Sequence, residues 1–142
     1  MKYLHYTILI SLVVGLIACK RKSSDSQIIE FDEKNRTTVK WIDSVQNFGR
    51  IKEGEKVEIS FRFKNTGVSA LIITDVRPGC GCTVADKPER PIASGGEGVV
   101  RAVFNSDGRS GFIHKTIFVY GNLLNNAYTE LVFEGEVVKK CD

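Results

Sequence analysis

In the stretch EKVEISFRFKN, from Glu55 to Asn65, apolar and polar side chains alternate almost without interruption. Val57, Ile59, Phe61 and Phe63 take every second position, with Lys56, Glu58, Ser60, Arg62 and Lys64 between them. Successive side chains of a strand point to opposite faces, whereas a helix would spread these four apolar residues around its surface. The stretch therefore predicts a strand with one face buried and the other in water. Such a strand needs a sheet around it and a second apolar layer to cover it.

Weaker versions of the same pattern recur at TVKWID (38–43), LIITDV (71–76), VVRAVFN (99–105), KTIFVYG (115–121) and ELVFEGEV (130–137). In the last of these Leu131, Phe133 and Val137 share a face with Gly135, while Glu134 and Glu136 look outward. Turn formers separate the runs: Gly54, Asn65-Thr66-Gly67, Pro78-Gly79, Ser94-Gly95-Gly96, the DGRSG stretch from Asp107, and Asn125-Asn126. No run carries a helical period long enough to compete. The pattern predicts an all-β chain, a single immunoglobulin-like antiparallel β-sandwich of about seven strands over residues 38–142. A domain of roughly 100 residues can bury enough apolar surface to fold without disulfides or metals.

The amino terminus follows other rules. Lys2 precedes the apolar run YTILISLVVGLIA, which stops at Cys19 and is followed at once by KRKSSDS. A basic start, a short apolar segment and a small residue before a cleavage point mark an export signal. The run falls short of the about 20 apolar residues that span a bilayer comfortably. Residues 1–18 are therefore expected to be a signal peptide. Leu16-Ile17-Ala18-Cys19 resembles the lipobox of bacterial lipoproteins, in which the chain is cut before the cysteine and its thiol takes a diacylglycerol. That resemblance implies lipidation of Cys19 and a cell-envelope location, with the domain in the periplasm or on the cell surface. Each buried methylene of the lipid contributes about 0.8 kcal/mol, so two or three chains hold where one does so only marginally. Residues 19–37 are expected to be the lipidated cysteine and a flexible tether, too polar to offset their own ordering entropy.

The chain has 20 basic and 17 acidic residues. Lys2, Lys20, Arg21 and Lys22 supply four of the basic ones, so the remainder carries a net charge of −1. Nothing in that balance provides the basic stripe that nucleic acids require.

The stretches FGRIKEGEKVEISFRFKNTGVSALIITDVRPGCGCTV, PIASGGEGVVRAVFNSDGRSGFIHKTIFVYGN and ELVFEGEV together resemble the bacterial family called domain of unknown function 1573, over about Gln46 to Val138. The most specific pieces are FKNTG (63–67), CGCT (80–83) and FNSDGRSG leading into KTIFVY. That family is related to the Hydin, ASH and major-sperm-protein group of immunoglobulin-like sandwiches. The resemblance implies the fold and a binding or scaffold role, and brings no established catalytic activity.

Cysteines remain. With Cys19 lipidated, three sulfurs are left: Cys80, Cys82 and Cys141. Export permits disulfides, and an odd count leaves at least one thiol over. A Cys80–Cys82 bond closes a very small ring and demands a sharp bend, which glycines 79 and 81 could supply by adopting positive φ. A bridge from either cysteine to Cys141 is equally open wherever the C-terminal strand ends nearby. Alternatively, Cys80, Cys82, Cys141 and His114 form the best set the chain offers for Zn²⁺ or Cu(I), although its members come from distant segments and no paired CxxC knuckle is present. The third reading is a tight turn whose cysteines act as small buried apolar groups. His114 otherwise reads as a half-exposed strand residue, Trp41 as core, and Asp75, Asp86 and Asp107 as turn acceptors. No pair of carboxylates is placed recognisably for acid–base work.

Two functions follow as expectations. The first is a non-enzymatic, membrane-anchored module that binds a protein partner, without a cofactor beyond its covalent lipid. The second is a metal-handling or thiol-redox accessory protein working through Cys80-Gly81-Cys82. On the lipobox reading, Cys19→Ala abolishes incorporation of labelled fatty acid and moves the protein from the membrane fraction to the soluble one. Retention of label in that variant would place the lipid elsewhere.

Overall fold

The computed structural model describes residues 33–139. All of them fall in one compact unit. The expected signal peptide, the lipidated Cys19 and most of the tether, as well as Cys141, lie outside the described residues.

Eight strands follow a single 3-10 turn at Glu33–Asn35. In chain order they are β1 (Val39–Trp41), β2 (Val45–Lys52), β3 (Lys56–Asn65), β4 (Ile73–Pro78), β5 (Thr83–Asp86), β6 (Glu97–Asn105), β7 (Gly111–Gly121) and β8 (Tyr128–Val138). One sheet has the order β1-β3-β6-β5 and the other β2-β8-β7-β4. The β-sandwich expected from the alternation is the architecture found.

The alternating stretch is β3, the central partner of β1 and β6. Its Ile59, Phe61 and Phe63 are buried, as are Val100, Ala102 and Phe104 of β6. They meet Ile113, Ile117 and Val119 of β7 and Leu131, Phe133 and Val137 of β8 across the sandwich. Phe104 bridges the layers, its ring centroid 5.6 Å from those of both Phe48 and Phe133. Trp41 is half-buried and packs against the core, its ring edge-on to Phe63 at 5.1 Å. Gly135 takes the inward position between Phe133 and Val137 because the ring of Phe48 occupies the space a Cβ would need.

Two expectations need correction. The sandwich is not wholly antiparallel: β2 runs parallel to β8. That strand was absent from the alternating runs because it carries a bulge. Between Asn47 and Arg50 it advances three residues while β8 advances two, from Glu134 to Glu136. Gly49, with φ of 75°, sits in the bulge. The extra residue puts Phe48 and Ile51 on the same inner face at a spacing of three, and a period-two reading loses the strand. The tether also ends earlier than residue 37. Thr37 is 2% exposed, donates a hydrogen bond from Oγ1 to Asn65 Oδ1 at 2.7 Å, and bridges to Leu123.

Two buried amides hold the end of the sandwich where the chain passes between sheets. Asn65, 0% exposed, also accepts from the Gly67 N–H at 3.2 Å and donates from Nδ2 to the carbonyls of Ser69 and Ile92 at 2.8 and 2.9 Å. Asn122 accepts from the Ile72 N–H at 2.8 Å and donates to the carbonyls of Asn35 and Ala70 at 2.5 and 2.8 Å.

Gly135→Ala forces a methyl into the Phe48 ring and is expected to cost about 1–3 kcal/mol, the range of core overpacking. Val84→Ala, at a position 69% exposed, should stay within about 0.5 kcal/mol. Urea unfolding of the two variants checks the contrast.

Candidate functional site

The CGC segment forms the turn that carries the chain from β4, an edge of one sheet, to β5, an edge of the other. Pro78 ends β4, and the Gly79 N–H then donates to the Thr116 carbonyl at 2.8 Å. A Cβ on Gly79 would stand 3.1 Å from that same oxygen, so glycine permits the close approach. On the far side the Asn105 N–H donates to the Cys82 carbonyl at 2.9 Å, and Thr83 opens β5 opposite Phe104. Both flanks of the turn are therefore fixed by backbone hydrogen bonds to neighbouring strands.

Between them Cys80 and Cys82 form a disulfide, with Cα atoms 5.4 Å apart. That separation lies inside the usual 4.4–6.8 Å window. Neither Gly79 nor Gly81 adopts positive φ; the glycines that do are 49, 54, 95, 108 and 111. The chain bends at Gly79 and Cys80 and turns at Gly81 and Cys82. Apart from its chain neighbours, nothing stands within 4 Å of where a Cβ on Gly81 would be. Both cysteines are half-buried, and Cys82 packs against the core. Thr83 Oγ1 lies 3.6 Å from Cys80 Sγ and 4.0 Å from Cys82 Sγ, and Thr83 itself is 6% exposed.

His114 is not brought to the cysteines. It stands on the outer face of β7 opposite Glu134, with Nδ1 3.5 Å from Glu134 Oε2. Among the described residues no three His, Cys, Asp or Glu side chains are grouped as metal ligands. In the disulfide form the two sulfurs offer no thiolate. Asp75 and Asp86 belong to strands β4 and β5 rather than to turns. They line, with Lys87, Glu89 and Arg101, an open cleft of about 730 Å³ between the two sheet edges.

The outer face of the second sheet bears a feature that alternation alone hides. Phe112, His114, Thr116, Phe118 and Tyr120 of β7 point away from the core, their partners on β8 being Glu136, Glu134, Val132, Glu130 and Tyr128. Phe118 meets Tyr128 edge-on at 5.5 Å, and Tyr120 lies 5.6 Å from Tyr128. Arg77 stacks over the Tyr120 ring at 4.9 Å and is held there by Asp75, whose Oδ2 accepts from Nε at 2.6 Å. That hydrogen bond, reinforced by charge attraction, raises the Arg77 pKa above its ordinary value. Tyr128 is 41% exposed and Phe112 is 70% exposed. The sequence signal was present in KTIFVYG, where Phe118 and Tyr120 interleave with Ile117 and Val119. With both faces apolar, the run did not say which aromatics faced water.

Fold and surface together define an immunoglobulin-type β-sandwich module. The model of the family described as "Protein of unknown function (DUF1573)" matches residues 39–137, and the chain belongs to that family. No curated protein matches it in sequence. Among solved structures, a protein of unknown function from Porphyromonas gingivalis W83 is similar over 78% of this chain, with a TM-score of 0.64 and 15% identity. This chain spans 51% of that protein's length. The ASH/PapD-like domain of human CEP192 is similar over 87% of this chain and 99% of its own, with a TM-score of 0.56 and 13% identity. The VesB protease of Vibrio cholerae is similar over 74% of this chain and 32% of its own, at 0.52 and 15%. At such identities the likeness speaks for the fold alone.

The disulfide closes a loop of sequence separation 2, for which chain-entropy arguments allow about 1–2 kcal/mol. Replacing both Cys80 and Cys82 by serine should therefore leave the domain folded, with an unfolding free energy lowered by no more than about 2 kcal/mol. Unfolding in urea measures it, and a much larger loss would make the bridge a structural staple.

Proposed function

We propose that this chain is a lipid-anchored envelope module that holds a protein partner against the outer face of its second sheet and performs no catalysis of its own. The observation that carries this reading is the Phe118–Tyr120–Tyr128 cluster with Arg77 across it, a contiguous aromatic surface on the outer face of the sheet, half-buried at Phe118 and Tyr120 and 41% exposed at Tyr128. Single exposed apolar residues are ordinary, but contiguous patches rimmed by polar groups mark interaction sites. Tyrosine and arginine are also the residues that most often anchor protein interfaces.

The rim gives the partner its chemistry. Glu130 stands directly opposite Phe118 in register and forms no ion pair with the described residues. A partner that buries an apolar side chain on Tyr128 and sets a basic one beside Glu130 satisfies both features. The export signal and the Leu16-Ile17-Ala18-Cys19 motif support an anchored, envelope location. The near-neutral domain supports a protein rather than a nucleic acid. Among the described residues no helix is long and apolar enough to cross a membrane, and anchoring is assigned to the lipid on Cys19.

A photo-crosslinking residue at position 128 of the full chain, expressed in its membrane, should give one discrete protein adduct that is lost on Tyr120→Ser. The same residue at position 84, on the opposite sheet, should give none. Equal adducts at both positions, or none at 128, would sink the proposal.

A further inference from the structure

We infer that the Cys80–Cys82 disulfide is a thiol–disulfide exchange site that accepts electrons from a dithiol on another exported protein. The inference is independent of the aromatic surface. It starts from what the bridge does not do. The core of β3, β6, β7 and β8 closes without it, and a ring this small gives the folded state little through chain entropy. A disulfide with so little stabilising duty, placed at an accessible turn, is suited to exchange.

The geometry supplies the parts that exchange needs. Gly79 and Gly81 are exposed, and apart from the two cysteines nothing stands within 4 Å of where a Gly81 side chain would begin. The segment between the sulfurs is therefore open to an incoming chain. Both cysteines are half-buried; Cys82 rests on the core, and we take Cys80 as the sulfur attacked first. The backbone anchors on either side, Gly79 to Thr116 and Asn105 to Cys82, do not involve the sulfurs. They keep the two side chains adjacent when the bond is open, as a reversible dithiol requires. Thr83 Oγ1, fixed at the buried start of β5, is 3.6 and 4.0 Å from the two sulfurs and can donate a hydrogen bond to a departing thiolate, which then takes its proton from water.

A client thiolate attacks Cys80 Sγ, the Cys80–Cys82 bond breaks, and Cys82 leaves as a thiolate that takes a proton. The second client thiol, deprotonated, attacks the client sulfur of the mixed disulfide and expels Cys80 as a thiolate. The client dithiol is oxidised to a disulfide, and the Cys80–Cys82 disulfide is reduced to two thiols. Thr83 is a positioning residue that lowers the cost of the thiolate, and neither metal nor further oxidant is needed for a single turnover.

The test uses the full lipidated chain, purified in detergent and carrying Cys141→Ser so that two thiols are counted. A reduced dithiol peptide is the probe, and alkylation followed by intact mass is the readout. The native pair should oxidise the peptide with one-to-one stoichiometry while the domain stays folded. Thr83→Val should slow exchange by about tenfold or more, the scale of a hydrogen bond to an ionised group, and move alkylation of the pre-reduced pair to higher pH, because the freed thiolates lose that hydrogen bond. The Cys82→Ser variant, treated with glutathione disulfide, should trap a mixed disulfide at Cys80 and release one glutathione thiol. Cys80→Ser should trap far less at Cys82. The inference is overturned if the folded protein retains its disulfide against the peptide and loses it only on unfolding. It is equally overturned if the exported protein carries two free thiols that oxidised peptide cannot close.

Discussion

A β-sandwich can only close where the chain crossing between its sheets finds partners for backbone groups that water no longer reaches. Here two side-chain amides meet that demand. Asn65 and Asn122 stand at the same end of the molecule and between them bond the backbone of Asn35, Gly67, Ser69, Ala70, Ile72 and Ile92. An amide has both donors and acceptor on one planar group, so a single buried Asn can tie two or three segments. Once these segments are tied, β3 and β7 are held at their ends and their apolar faces meet in register. The segment before β1 is drawn into the domain by the same device, because the Thr37 hydroxyl completes the Asn65 set.

This arrangement frees the other end of the chemistry. With the passage from β3 to β4 secured by amides and the layers joined by Phe48, Phe104 and Phe133, the passage from β4 to β5 does not need its disulfide to exist. The Gly79 and Asn105 backbone bonds already hold it. A turn that is positioned by its neighbours but not required by the fold is where reactive groups can be kept without a stability penalty, and such loops on rigid scaffolds are where function usually sits.

How much of this was legible depended on whether local periodicity and long-range pairing agreed. β3 and β8 were readable because each lies inside its sheet with one face buried throughout, so period two is unbroken. β2 was not, because the bulge at Gly49 resets its inner face, and nothing local announces a parallel partner in β8, where Val45 pairs with Val132. β5 is only four residues long, too short to show alternation. Asn65 was read as a turn former, since asparagine after a strand signals one; its burial follows from Ser69 and Ile92, which the local sequence does not place beside it. The cysteine pair was visible as a pair, and its three readings could not be separated because the difference lay in the neighbours: Thr116 and Asn105 on one side, the remoteness of His114 on the other.

The same strand links the two surfaces from which function is argued. Arg77, stacked on Tyr120, stands three residues before Cys80 along the chain, and an extended chain covers roughly 10 Å in that distance. The aromatic cluster and the disulfide thus share one margin of the second sheet, the β4 edge and its continuation into the turn. Their chemistries are nevertheless separate. The aromatic surface depends on area and on the Asp75–Arg77 pair, and neither changes when the sulfur–sulfur bond opens. The turn depends on Thr83 and the backbone anchors, and of these only Gly79 lies beside a ring, Phe118 Cε2 standing 3.9 Å from where a Gly79 Cβ would be. That proximity would let a docked protein present a thiol to Cys80, and it makes Phe118 and Gly79 the two positions at which substitutions on one surface are expected to couple to the other.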